Sequence, residues 1–204
     1  MIDNFKDIKE LLNFVDDNTF FFIQIIKRRK ENPEMKTGAA VINNYYLYKE
    51  EDLNKLRDKI INDCELHNAR AYININRLDL QKVALGVNAK IADLLVQGDY
   101  KVIKNAYAMV CGSTTSEKNK RWIVDFDWIN TDDHTEAEQL QFLKIYGTIN
   151  ELHKEVNANY SILATLKTKN GIHIITEPFN IKKFRDIHPE IEVHKASPTI
   201  LYIK

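Results

Sequence analysis

The run Arg121-Trp-Ile-Val-Asp-Phe-Asp-Trp-Ile129 sets two aspartates, Asp125 and Asp127, one residue apart inside an apolar stretch. Side chains on a β-strand alternate between faces with period two. A strand here therefore puts both carboxylates on one face and Trp122, Val124, Phe126 and Trp128 on the other, where they can be buried. Two like charges held close together repel. A divalent cation between them removes that cost, and Mg²⁺ or Mn²⁺ takes such oxygen ligands. An edge strand with a solvated acidic face is the alternative from the same residues. The flanking tryptophans favour a strand covered on one side, which leaves the acidic face as a cleft wall.

A chain of 204 residues suits one compact domain, or two small subdomains sharing an interface. With 44% hydrophobic and 28% charged residues it can build a core, and long disorder is not expected. Gly and Pro are scarce, which argues against linkers. The formal net charge is zero, so there is no global signal for nucleic acid. Local clusters remain: Lys27-Arg28-Arg29-Lys30, then Lys118, Lys120 and Arg121, then Lys167 with Lys169, then Lys182, Lys183 and Arg185. Each is either a solvated surface or part of a groove whose local field outweighs the average. Cys64 and Cys111 lie in apolar-patterned segments and read as buried thiols of a reducing compartment. Nothing resembles a signal peptide, and no apolar run is long enough for a membrane span. The expected location is the cytoplasm.

Periodicity predicts an opening helix with Phe5, Ile8, Leu11, Leu12 and Val15 on one face, then a strand over 19–27. Residues 39–48 read as a strand or hairpin, with Asn43-Asn44 as a turn. A second helix carries Leu53, Leu56, Ile60 and Ile61. A strand over 69–76 and a helix over 78–96 follow, the latter stopped by Gly98. Residues 106–111 and 122–128 read as strands. Thr135-x-x-Glu138 is a capping box opening a helix with Leu140, Phe142, Leu143, Ile145, Tyr146, Ile149 and Leu152. Strands from Tyr160 to Leu166 and from Ile172 to Thr176 are joined by the Asn-Gly hairpin Lys167–Gly171. A short helix over 181–187 precedes one or two strands in 191–203, interrupted at Pro198. From Trp122 the order is β-α-β-β-α-β, the ferredoxin-like or RNA-recognition-motif-like (RRM-like) order. The expected class is α+β. Residues 1–115 form an N-terminal α/β unit and residues 116–204 an RRM-like catalytic half, together one compact domain.

In that order the first and third strands are neighbours, which sets the His173 strand beside the Asp125 strand. A histidine there can donate to a phosphate or orient a nucleotide, or serve as a satisfied sheet residue. A third carboxylate after it would complete a two-metal site, with cations about 4 Å apart. Asp186, Glu190 and Glu192 are the candidates. Glu192 is best placed, in the alternating Ile191-Glu-Val193 ahead of His194-Lys195. His134, His153, His188 and His194 have no zinc-ligand spacing. Lys36-Thr37-Gly38 lacks the Walker spacing.

The pattern Val124-Asp125-Phe126-Asp127, a helix, a hairpin ending in Gly171-Ile172-His173, and the late acid Glu192 resembles the archaeo-eukaryotic primase superfamily of small primase subunits and primase-polymerases. The resemblance implies that Asp125, Asp127 and Glu192 hold two Mg²⁺ or Mn²⁺ ions. It implies that Asp125, Asp127 and His173 form the catalytic set. His173, Lys169, Thr168 and Lys195 would meet the triphosphate, and Arg28, Arg29, Lys120 and Arg121 the nucleic acid. The implied activity is template-dependent nucleotidyl transfer. Its partners are nucleoside triphosphates, a nucleic acid template and, for replication, a helicase. The family usually has serine where this chain has Gly171, with Thr168 upstream.

A competing resemblance uses the same aspartates. Gly112-Ser113 followed by Asp125-Phe-Asp127 looks like the signature of polymerase-β-type nucleotidyltransferases, in which the Gly-Ser turn binds phosphates through backbone N–H groups. The strand at 160–166 carries no third carboxylate of that kind. From another class, the chain reads as a non-catalytic nucleic-acid-binding or assembly module built on a polymerase-like sheet.

Overall fold

The structure is a computed structural model that describes residues 1–114, 120–128, 135–155, 162–196 and 198–204. Lys118, Ile129, His134 and Tyr160, all used in the sequence reading, lie outside the described residues. The chain begins with β1 (Ile2–Asp3) and α1 (Phe5–Leu11), then β2 (Thr19–Arg28), β3 (Ala39–Leu47), α2 (Glu50–His67) and β4 (Arg70–Ile73). β5 (Leu78–Asp79), α3 (Leu80–Gln97), a 3₁₀ turn over Tyr100–Asn105 and α4 (Ala106–Ser113) follow. The second half holds β6 (Trp122–Asp127), α5 (Glu136–Lys154), β7 (Ile162–Lys167), β8 (Gly171–Thr176), α6 (Ile181–Ile187), β9 (Glu192–His194) and β10 (Thr199–Ile203).

These elements make a mixed α and β architecture with two antiparallel sheets. The first has the order β1-β10-β4-β2-β3, with β5 added to β2. The second has the order β7-β8-β6-β9. Both faces of each sheet contribute to a core, because strand alternation delivers two apolar sets. Phe20 and Phe22 of β2 pack with Leu78, Val83, Val110 and Cys111 under α3 and α4. Phe21, Ile23 and Ile25 of the same strand face the other way, into a core with Phe5, Ile8, Leu53 and Ile60. Ile123, Leu166 and Ile175 of the second sheet sit in that same core. The far face of the second sheet buries Val124, Phe126, Ile174 and Val193 against Ile145, Ile149 and Phe184 of α5 and α6.

Four local readings need correction. Residues 106–111 form a helix, not a strand. Their buried positions are Ala106, Val110 and Cys111, a helical spacing, and a short apolar run does not distinguish the two. The helix docks close to α3 at Gly86, where a Cβ would stand 2.9 Å from Val110 Cγ1. Asn43-Asn44 is no turn: both lie within β3, where Asn43 donates to Asp63 and Asn44 accepts from Gln24. Val15 is exposed, because α1 ends at Leu11. The last strand leaves the second sheet altogether. After Pro198 the chain crosses to the first sheet, where β10 lies between β1 and β4. No helix among the described residues is long and apolar enough to cross a membrane.

Candidate functional site

The second sheet presents one row of side chains across its strands. Asp125 on β6 stands opposite His173 on β8 and opposite Glu192 on β9, and His173 stands opposite Leu166 on β7. In-register residues share a face with Cβ atoms about 5 Å apart. The row thus runs leucine, imidazole, carboxylate, carboxylate. Asp127 lies two residues further along β6, opposite Gly171. Exposure rises across the row. The side chain of His173 is 13% exposed, that of Asp125 31% and that of Glu192 76%. This face points toward the N-terminal unit, since Ile123, two residues back on β6, is in the shared core.

His173 is fixed from both ring nitrogens. Nδ1 shares a 2.8 Å hydrogen bond with Thr199 Oγ1, and Nε2 lies 3.4 Å from Asp125 Oδ1. Thr199 is fully buried at the start of β10, so the crossover strand sets the imidazole's orientation. Glu192 has its own imidazole neighbour, with His194 Nε2 at 3.4 Å. The carboxyl of Asp127 is held above the usual aspartate range. Burial is the largest cause, followed by Asp125, with His173 and Lys30 pulling down and Glu192 pushing up. That list is a map of the charges that Asp127 feels: two carboxylates, one imidazole and one ammonium.

Position 171 has room for glycine alone. A Cβ there would fall 1.9 Å from the Phe126 carbonyl oxygen, so only glycine lets β8 approach β6 this closely. Thr168 Oγ1 accepts from the Gly171 N–H at 3.0 Å. The hairpin tip is tied to the end of β6 by Trp128 N–H donating to Asn170 O.

Of the remaining residues singled out from sequence, Lys169 is at this tip, 3.6 Å from Glu31. Lys195 leaves the acidic face and lies over the Trp122 ring, 5.0 Å from its centroid. Arg28 shares its face of β2 with Phe20 and Phe22, the α3 and α4 side, and donates to Tyr72 Oη. Arg29 is exposed and Lys120 half-buried. Arg121 is turned inward, donating to the carbonyls of Leu11 and Ile75. It acts as a clamp between the halves, together with Asn76, which accepts from Arg121 N–H and donates to Arg121 O.

Gly112 and Ser113 form the last turn of α4, and Ser113 Oγ donates back to the carbonyls of Met109 and Val110. Their N–H groups are committed to the helix. They also lie on the α3 and α4 side of the first sheet, away from the face that meets Asp125. A Gly-Ser phosphate turn beside the aspartates is therefore not formed. Lys30 and Thr199 belong to the neighbourhood of the acids and were not legible as such. Lys30 was visible only as one cation in a run of four, and Thr199 carried no local signal at all.

The donor set is the one that a hard divalent cation takes, three carboxylates with imidazoles alongside. As the side chains stand, no group of three or more His, Cys, Asp or Glu among the described residues closes on one point. Asp125 is turned toward His173 and Glu192 toward His194, so these two carboxylates each face a neighbouring ring. Comparison with protein families, curated proteins and solved structures returned no match.

Proposed function

We propose that the chain is a divalent-metal-dependent nucleotidyltransferase of the primase-polymerase type, acting in the cytoplasm. One observation carries the reading: Asp125, His173 and Glu192 share a row across three adjacent strands, with Asp127 two residues on. The strand order β7-β8-β6-β9 is also the order expected of an RRM-like βαββαβ unit. Asp125, Asp127 and Glu192 would hold two Mg²⁺ or Mn²⁺ ions. When bound, these ions supply charge neutralisation and polarise the phosphoryl oxygens. Glu192, with its side chain 76% exposed, has the freedom to turn toward the aspartates. His173, held by Thr199, would donate to a triphosphate oxygen, with Lys30 nearby to balance its charge. A 3′-hydroxyl attacking the α-phosphate would be positioned along the acidic face, and positioning with electrostatics would supply most of the acceleration. The template would run across basic loops such as the one at Arg29.

A second reading, a non-catalytic binding module, is favoured by one observation: the carboxylates face histidines instead of converging. Thermal stability in Mn²⁺ with ATP separates the two. A ligand that binds only the native state stabilises it by RT ln(1 + [L]/Kd). The enzyme reading expects stabilisation by Mn²⁺ that vanishes in Asp125→Asn and Asp127→Asn. Equal melting with and without metal and nucleotide would leave the module.

A further inference from the structure

Where the β7–β8 hairpin tip meets the end of β2 and the start of β4, there is a pocket of about 320 Å³. Its lining includes Glu31, Asn68, Arg70, Thr168, Lys169 and Lys204, and it stops short of Asp125 and Asp127. Arg70 is nine-tenths buried there, with its side chain 9% exposed. Its Nη2 bonds Glu31, yet its Nε–H is buried with no acceptor among the described residues. An unsatisfied N–H on a buried charged group is costly, and such groups are normally paired. Lys169, on the β7–β8 hairpin, shares the same Glu31 carboxylate at 3.6 Å. A single acid thus serves two cations contributed by different halves of the chain, and Lys204 adds a third nearby. The local balance is positive, in a concave site at the small end of the ligand-pocket range.

We propose that this pocket binds a phosphate-type oxyanion, taking the Nε edge of Arg70 and the ammonium of Lys169. Arg presents a planar fork suited to such oxygens, and Lys a mobile point charge. The oxyanion is either a free phosphate or diphosphate, or the terminal phosphate of a nucleotide. The inference does not rest on the metal site, whose acids are outside the lining.

The test uses the full chain without divalent metal, titrated with inorganic phosphate, pyrophosphate or AMP against chloride at matched ionic strength. The readouts are calorimetry and thermal melting. Saturable binding is expected, weakened at least about tenfold in Lys169→Gln, the scale of one charge-assisted hydrogen bond. Arg70→Lys, which keeps the charge but removes the Nε–H, should weaken it comparably. Lys169→Gln lies at an exposed tip and keeps the test valid if Arg70→Lys fails to fold. Lys183→Gln, at an exposed lysine of α6 outside the lining, should bind as the parent does. Tighter AMP than phosphate would identify a nucleotide source, and equal affinities a free anion. No saturable binding, binding unchanged in Lys169→Gln, or loss of binding in Lys183→Gln would overturn the assignment.

Discussion

Asp127 is exposed at the end of β6 yet faces other acids. Its proton is held more tightly than in a free aspartate, first by partial desolvation and then by Asp125. An acid whose pKa is raised on folding stabilises the fold while protonated, below its unfolded pKa, and loses that contribution as pH rises through the folded value. At neutral pH the ionised carboxylate therefore works against the metal-free protein. Asp127→Asn should melt at a higher temperature than the parent at neutral pH, with the gap closing as pH falls through the carboxylate range. Saturating Mn²⁺ should reverse the order by stabilising the parent alone. Melting curves across pH, with and without metal, check both halves of this statement. The two cysteines give a second residue-level test. Burial pushes the thiols of Cys64 and Cys111 up to about 12, and both are unpaired. Because the thiolate is the reactive form, neither should be alkylated by iodoacetamide in the native state at mildly alkaline pH. Mass spectrometry should find both labelled only after unfolding.

Elements with local punctuation are legible in the sequence. Thr135 and Glu138 form the reciprocal cap at the start of α5, and Gly98 ends α3 in the left-handed region at φ 75°. The Asn-Gly hairpin joins β7 to β8 as its turn residues indicate. Asp125 and Asp127 were legible as a pair because strand period alone puts them on one face. What failed was information that no short window contains. The helix α4 hid in an apolar run that suits either period until α3 supplies the contact at Gly86. The seat of β10 in the other sheet is fixed by partners in β4 and β1, far upstream. At this scale Thr135→Ala should cost about 1 kcal/mol in denaturant unfolding, the usual loss for a helix N-cap. Gly171→Ala should cost more, at least about 3 kcal/mol, because its methyl has no room beside Phe126 O and must push β8 off β6. That variant should also lose the Asp125–His173 proximity, visible as a shifted His173 imidazole resonance.

The whole molecule is tied together by the strand that changes sheets. β10 closes the first sheet between β1 and β4, and its first residue, Thr199, orients His173 on the second. Ile123, Leu166 and Ile175 seat the second sheet in the core of the N-terminal unit. The two halves should therefore not fold separately. A fragment of residues 116–204 should lack the dispersed amide spectrum of the full chain, and removal of 199–204 should abolish cooperative unfolding. The same architecture makes a row of carboxylates and imidazole out of strands that are scattered in sequence, and the functional account depends on that row gripping metal. The most direct measurement is incorporation of labelled nucleoside triphosphates on a primed template, with Mg²⁺ or Mn²⁺, for the parent, Asp125→Asn and Asp127→Asn. Metal-dependent extension is expected in the parent and none in either variant, with all three equally folded. Extension that persists in both variants, or a folded parent that extends no primer with either metal, would contradict it.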